Sequence, residues 1–207
     1  MTASFYTVRT KQKEKLTIQK SIFIAHVAPV DTEAKAKTFI KKVQETHVDA
    51  AHNVFAYRIG ENGIVAKQSD DNEPAGTAGK PVLEMLEYMD LTNTVVVITR
   101  YFGGIKLGAG GLVRAYRLSA KTGIEAAGVV TKEAHQILNI ELPYSVLGKL
   151  QHELSNHSQW KLQAIEYMEY VQLEMAVPTN EKERFLDFLY ELTSGGVNYQ
   201  VKKEVYL

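Results

Sequence analysis

The chain has 207 residues, 45% of them hydrophobic, and its 24 basic and 24 acidic side chains cancel to a formal net charge of zero. Cysteine is absent, which excludes disulfides, thiol nucleophiles and cysteine-based zinc or iron–sulfur sites. No apolar run is long enough to cross a bilayer, and residues 1–15 lack an apolar segment before turning Lys-rich, so the chain reads as cytoplasmic, without a signal peptide or a membrane partner.

Residues 4–10 and 16–27 read as strands, the second carrying the apolar run Ile22, Phe23, Ile24 and Ala25. A helix follows, with Asp31 or Thr32 as cap, Glu33 in its first turn, and Ala36, Phe39, Ile40 and Val43 striped opposite Lys35, Lys37, Lys41 and Lys42. Residues 53–59 and 64–68 read as two strands joined by Gly60, Glu61, Asn62 and Gly63, whose Asn-Gly pair signals a hairpin. After the loop 69–80, Pro81 suits a first helical position, and Val82, Leu83, Leu86 and Met89 supply a buried face. The unbroken β-branched run 94–99 has the composition of a strand buried on both faces. Leu112, Tyr116, Ala120, Ile124 and Ala127 then recur at helical spacing.

The second part of the chain predicts strand 137–142, helix 144–156, strands 160–166 and 170–177, helix 181–193 and strand 199–206. That order, βαββαβ, is the ferredoxin-like arrangement, with two helices on one sheet face and the other open to partners. Residues 128–134 are its linker or the last strand before it. The expectation is an α+β protein of two domains, 1–132 and 133–207. Residues 1–130 hold 17 basic and 13 acidic side chains against 7 and 11 in 131–207, so the first domain is the better anion-binding half.

Between Arg100 and Lys121 lie five basic residues and no acidic one, around five glycines in the nine positions 103–111. The order is strand, glycine loop, helix. Glycines there allow a close backbone approach, and the first N–H groups of the helix favour an anion, which nominates Gly108, Gly110 and Gly111 with Arg100, Lys106, Arg114 and Arg117 as phosphate contacts. Arg114 and Arg117 share a helix face, and Tyr101 and Phe102 offer either stacking surfaces or core. The spacing is not the G-x-G-x-x-G of a dinucleotide site, and residues 76–81 miss the Walker spacing at the first glycine and at the final hydroxyl. Asp70, Asp71 and Glu73 form a carboxylate cluster with the chemistry of a divalent-cation or acid–base site, or of a turn that pairs with the basic loop. His52 reads either as a base or as a structural histidine. Neither a G-x-S-x-G elbow nor an H-E-x-x-H metallopeptidase motif occurs.

Taken together, Ala51-His52-Asn53, the stretch 69–81 and the stretch 99–116 resemble the IMPACT family, bacterial YigZ-like branch, over most of residues 15–130. One position departs from the family motif: Asn72 stands where D-D-G-E-P carries glycine, and asparagine tolerates the left-handed backbone such a turn uses. The resemblance implies a first domain with the β-α fold shared by elongation factor G domain IV and GHMP proteins, and a second domain like elongation factor G domain V. It marks His52, Asp70, Asp71, Glu73, Thr77 and Lys80 as a family-motif surface. Eukaryotic relatives restrain the general-control kinase of amino-acid starvation by competing for its ribosome-associated activator; bacteria lack that pathway. What transfers is a non-enzymatic, translation-linked binding protein whose basic glycine loop contacts RNA, the ribosome or a translation factor, with no catalytic residue, metal or cofactor assigned. The alternative is a small-substrate enzyme, a metal-assisted hydrolase or phosphate-ester catalyst, built on the Asp/Glu loop. A third reading is an adaptor using the open sheet face of the second domain. Neither the oligomeric state nor a contact between the acidic and basic loops follows from the sequence.

Overall fold

The structure, a computed structural model, describes residues 4–207, and these divide into two compact units on either side of residues 131 and 132. In the first unit β1 (Ser4–Val8) is followed by β2 (Gln12–Ile18) and β3 (Ser21–Pro29), then α1 (Glu33–Thr46), β4 (His52–Ile59), β5 (Val65–Ser69), α2 (Gly79–Tyr88), β6 (Thr94–Tyr101) and α3 (Ala109–Ala127). An antiparallel sheet runs in the order β2-β3-β6-β4-β5.

Alternation along β6 sorts the two faces of this sheet. Val96 and Ile98 meet α2 and α3 in a core with Phe23, Ala25, Leu86, Tyr116 and Ile124, whereas Val95 and Val97 meet α1 with Ala36, Ile40, Val43 and Tyr57. The β-branched run is buried on both faces because helices cover both. Helix α1 starts at the Thr32 cap, whose side chain accepts the Lys35 N–H at 3.3 Å. Helix α3 lies so close to β3 that a Cβ on Gly123 would sit 2.8 Å from Ala25 Cβ.

Two expected boundaries change here. Residues 16–27 are not one strand: Gln19 and Lys20, with φ of 44° and 66°, fold the chain into a tight turn, and β2 pairs back along β3. Such a turn usually announces itself with Asn-Gly; Gln-Lys hides it. Helix α2 begins at Gly79, so Pro81 lies within its first turn rather than at its first position.

The second unit is built from most of β7 (Val129–Leu142), which begins in the last residues of the first, with α4 (Tyr144–Asn156), β8 (Lys161–Tyr167), β9 (Val171–Pro178), α5 (Lys182–Leu192) and β10 (Asn198–Tyr206). Residues 129–134 are no separate linker but the start of the 14-residue β7. Its sheet order is β8-β9-β7-β10, antiparallel throughout, which is the ferredoxin-like order. Leu138, Ile140, Leu173, Met175 and Val177 face α4 and α5 around Trp160 and Phe185. Asn139, Glu141, Gln172 and Glu174 alternate with them on the polar face.

Two outcomes are expected. Gly123→Val, which forces α3 away from β3, lowers unfolding free energy by about 1–3 kcal/mol in urea titrations. His26 is buried in β3, and its pKa is lowered to about 4 by burial and by His47, Lys13 and Lys11. The unfolded chain therefore binds the proton first, so stability is full above pH 6.5 and falls by up to about 3 kcal/mol as pH drops toward 4. His26→Gln flattens that slope in urea titrations repeated across pH 4–7.

Candidate functional site

Strand register sets the first three groups of the site. Arg100 on β6 pairs across β3 with Phe23 and across β4 with His52, which puts all three on the face covered by α2 and α3. Arg100 is 5% exposed. Its Nη1 donates to Glu73 Oε1 at 2.6 Å, and its guanidinium lies 5.4 Å from the Phe23 ring centroid and 5.5 Å from that of Phe102. Tyr116 on α3 donates its hydroxyl to the same Glu73 oxygen at 2.7 Å. Burial and then the Glu73 charge push the Tyr116 pKa far up, which keeps the phenol a donor. Ser21 Oγ, at the start of β3, receives both Arg100 Nη2 at 3.4 Å and the Gly103 N–H at 3.2 Å.

The acidic loop is organised from inside. Asp70 accepts the N–H groups of Gly76, Ala78 and Gly79 at 2.8, 3.0 and 2.8 Å, acting from outside the helix as the cap that Ala78 cannot provide for α2. Asp71 Oδ2 accepts the Asn53 N–H at 2.6 Å, and its carbonyl accepts from His52 Nδ1 at 2.7 Å. His52 Nε2 lies 3.7 Å from Glu73 Oε1. Asp71 and Asn72 are consecutive left-handed residues, φ 42° and 66°, so asparagine performs the turn its expected glycine would. Thr77 donates to the Pro74 carbonyl at 2.6 Å.

Beyond the buried network the chain surfaces. A Cβ on Gly103 would collide with the Lys20–Ser21 backbone, so the glycine loop leaves β6 pressed against the β2–β3 turn. Gly104 and Gly108 take φ of 83° and 71°. Gly108 caps α3 without a side-chain acceptor, and no acidic residue occupies the first turn of the helix. The Arg114 guanidinium folds back over that turn, its Nη1 3.6 Å from the place of a Gly110 Cβ. Lys106, Arg114 and Lys80 are exposed and form no ion pair among the described residues. Phe102, four residues before Lys106, is 52% exposed. At this junction the first N–H groups of α3 have no side-chain acceptor, and Lys106 and Arg114 have no acidic partner among the described residues.

Several nominated residues are thus placed differently than expected. Arg100 is no surface contact: its charge is used inside, on Glu73. Arg117 is tied to Glu84 of α2 at 2.6 Å and is only partly available. Glu73 and Thr77, at 7% and 8% exposed, lie beneath the surface on which the family motif would place them. The acidic and basic loops do touch, through Glu73 and Arg100. Two members of the network carry no distinguishing signal in the sequence: the helical spacing of Tyr116 fits simple core equally well, and Ser21 lies in no motif.

Residues 19–124 match the family described as Impact N-terminal domain, and residues 140–195 match a domain of unknown function, DUF1949. The chain is 43% identical over its full length to the IMPACT family member YvyE of Bacillus subtilis (strain 168), covering 95% of that protein. It is 32% identical over 192 residues to the IMPACT family member YigZ of Escherichia coli (strain K12), covering 87% of this chain and 89% of that one. Over 100 residues, 46% of this chain and 31% of the relative, it is 37% identical to Protein IMPACT-A of Xenopus tropicalis. A solved structure described as a hypothetical protein superposes with a TM-score of 0.64 at 29% identity, covering 98% of this chain and 99% of that one.

Removing Glu73 alone strands a buried guanidinium, so Glu73→Ala is expected to cost about 3–5 kcal/mol in urea unfolding. The double variant Glu73→Leu/Arg100→Met, which leaves no buried charge, recovers most of that loss.

Proposed function

The chain belongs to the IMPACT family, and from that premise we propose that it is a translation-linked regulatory binding protein which contacts RNA, the ribosome or a translation factor through the start of α3. The observation that carries this reading is the junction at residues 102–114. Exposed Lys106 and Arg114, the uncapped N–H groups of α3 and half-exposed Phe102 form one surface, and the Arg100–Glu73–Tyr116 network supports it from below. Backbone N–H groups and cations take phosphates without regard to sequence, while an aromatic face takes an unstacked base. Shape and phosphate recognition of this kind suit a structured RNA better than a particular sequence.

Small-substrate catalysis by the Asp/Glu loop would need carboxylates converging on an open space. Asp70 and Asp71 instead accept from backbone N–H groups, and Glu73 is enclosed by Arg100 and Tyr116. That geometry favours the binding reading over the enzymatic one.

Co-sedimentation with ribosomes and with isolated ribosomal RNA, run as a salt series, tests it. Lys106→Ala/Arg114→Ala is expected to weaken binding and to reduce the magnitude of the log–log salt slope by about 1.4–1.8, the loss of two phosphate contacts. Phe102→Ala weakens binding at every salt concentration, by about 1–3 kcal/mol if a base stacks there. Unaltered affinity and slope in the double variant would remove this surface from the account.

A further inference from the structure

The opposite face of the same sheet carries a second basic site. The end of α1, the start of β2 and β3 enclose a cleft of about 370 Å³ whose lining includes Lys11, Lys13, Lys42, His26, Thr46 and His47. Among the described residues no carboxylate lines it. Lys13 and His26 are cross-strand partners in the β2–β3 pairing, so both side chains point to the face that α1 covers. Among the described residues none of the three lysines has a carboxylate partner; Lys11 sits over the Phe39 ring at 5.1 Å. The groups acting on His26 are His47, Lys13 and Lys11, with no acid among them. The only acid acting on His47 is Asp49, which reaches it through Tyr101, against Lys13 on the other side.

Hydrogen-bond direction defines what is missing. Asp49 only accepts, so the single Tyr101 proton goes to Asp49 at 3.1 Å, and Tyr101 Oη accepts from His47 Nδ1 at 2.9 Å. Neutral His47 therefore keeps a lone pair on Nε2. That atom is buried and has no hydrogen-bond partner among the described residues, and His47, 8% exposed, lines the cleft. Likewise Thr99 donates to Asn53 Oδ1 at 2.8 Å and is left to accept from His26 Nε2 at 3.4 Å. The cleft offers ammonium donors for anionic oxygens and one buried nitrogen waiting for a proton.

We propose that this cleft binds a phosphate monoester by its terminal phosphate, the lysines taking the anionic oxygens and one proton being shared between the phosphate and His47 Nε2. A monoester has its second pKa near 6, so it carries or readily acquires that proton. A phosphodiester and a sulfate have none to give at neutral pH. The negative end of α1, whose C-cap is His47, also favours a charged imidazole once the anion is present. This site is separate from the glycine-loop surface and does not depend on it.

The test is imidazole NMR of the full chain, with the two histidine signals assigned by His26→Gln and His47→Gln, during titration with phenyl phosphate at constant ionic strength. Saturable shifts of both signals are expected. At pH 8 the free ester is a dianion and the histidine neutral, so binding takes up a proton and affinity rises at least tenfold between pH 8 and pH 6. Dimethyl phosphate binds at least tenfold more weakly. Lys13→Ala/Lys42→Ala, at exposed positions, loses at least tenfold in affinity while keeping the wild-type circular dichroism; Lys41→Ala, whose ammonium pairs with Glu45 outside the cleft, does not. The proposal is overturned if chloride produces the same shifts, if the diester binds as well as the monoester, if affinity does not change with pH, or if the double variant binds like the wild type.

Discussion

One buried ion pair organises the first unit. Arg100 ends the central strand on the face where Phe23, Val96, Ile98 and Tyr116 pack, and a guanidinium there cannot be left without a counter-charge. Glu73 supplies it from a loop 27 residues earlier in the chain, and Tyr116 adds a third donor from the helix that follows. Other features of the acidic loop serve that meeting. Two successive left-handed residues turn the chain inward, Asp71 pins the loop to the edge of β4, and Asp70 holds the first turn of α2. Because Ser21 receives both Arg100 and the Gly103 N–H, the same pair also fixes where the glycine loop leaves the sheet.

The consequence is a division of labour between buried and exposed charge. Arg100 is consumed in holding the junction together. Lys106 and Arg114 are left over, on a helix start with no cap of its own and no acidic side chain to neutralise it. Recognition elements are more effective when a rigid scaffold positions them beforehand. The segment matched to the Impact N-terminal domain, residues 19–124, contains the whole network and the whole surface above it.

Much of this was legible in the sequence where local chemistry and burial agree. The run 94–99 could only be a strand covered on both sides. Asp31 or Thr32 with Glu33 marked the start of α1, and residues 170–177 read as a strand. The order of elements after residue 136, βαββαβ, is that of the ferredoxin-like unit. What stayed hidden depended on contacts distant along the chain. Gln19 and Lys20 form a turn without turn-forming residues, because the pairing of β2 with β3 imposes it. Arg100 and Arg114 look alike in a basic run; only the approach of Glu73 separates an internal strut from a surface contact. Ser21 is invisible for the same reason. Asp70 and Asp71 accept from backbone N–H groups, and Glu73 from Arg100 and Tyr116, partners that no spacing rule reports.

Amide hydrogen exchange measures directly how the Glu73–Arg100–Tyr116 cluster positions the glycine loop. Glu73→Gln keeps the side chain's shape and removes its charge, without touching any exposed residue of the junction. The account predicts faster exchange for the amides of residues 103–112, with β9 and α5 of the second unit unchanged. Wild-type protection of that segment in a variant lacking the charge would contradict it.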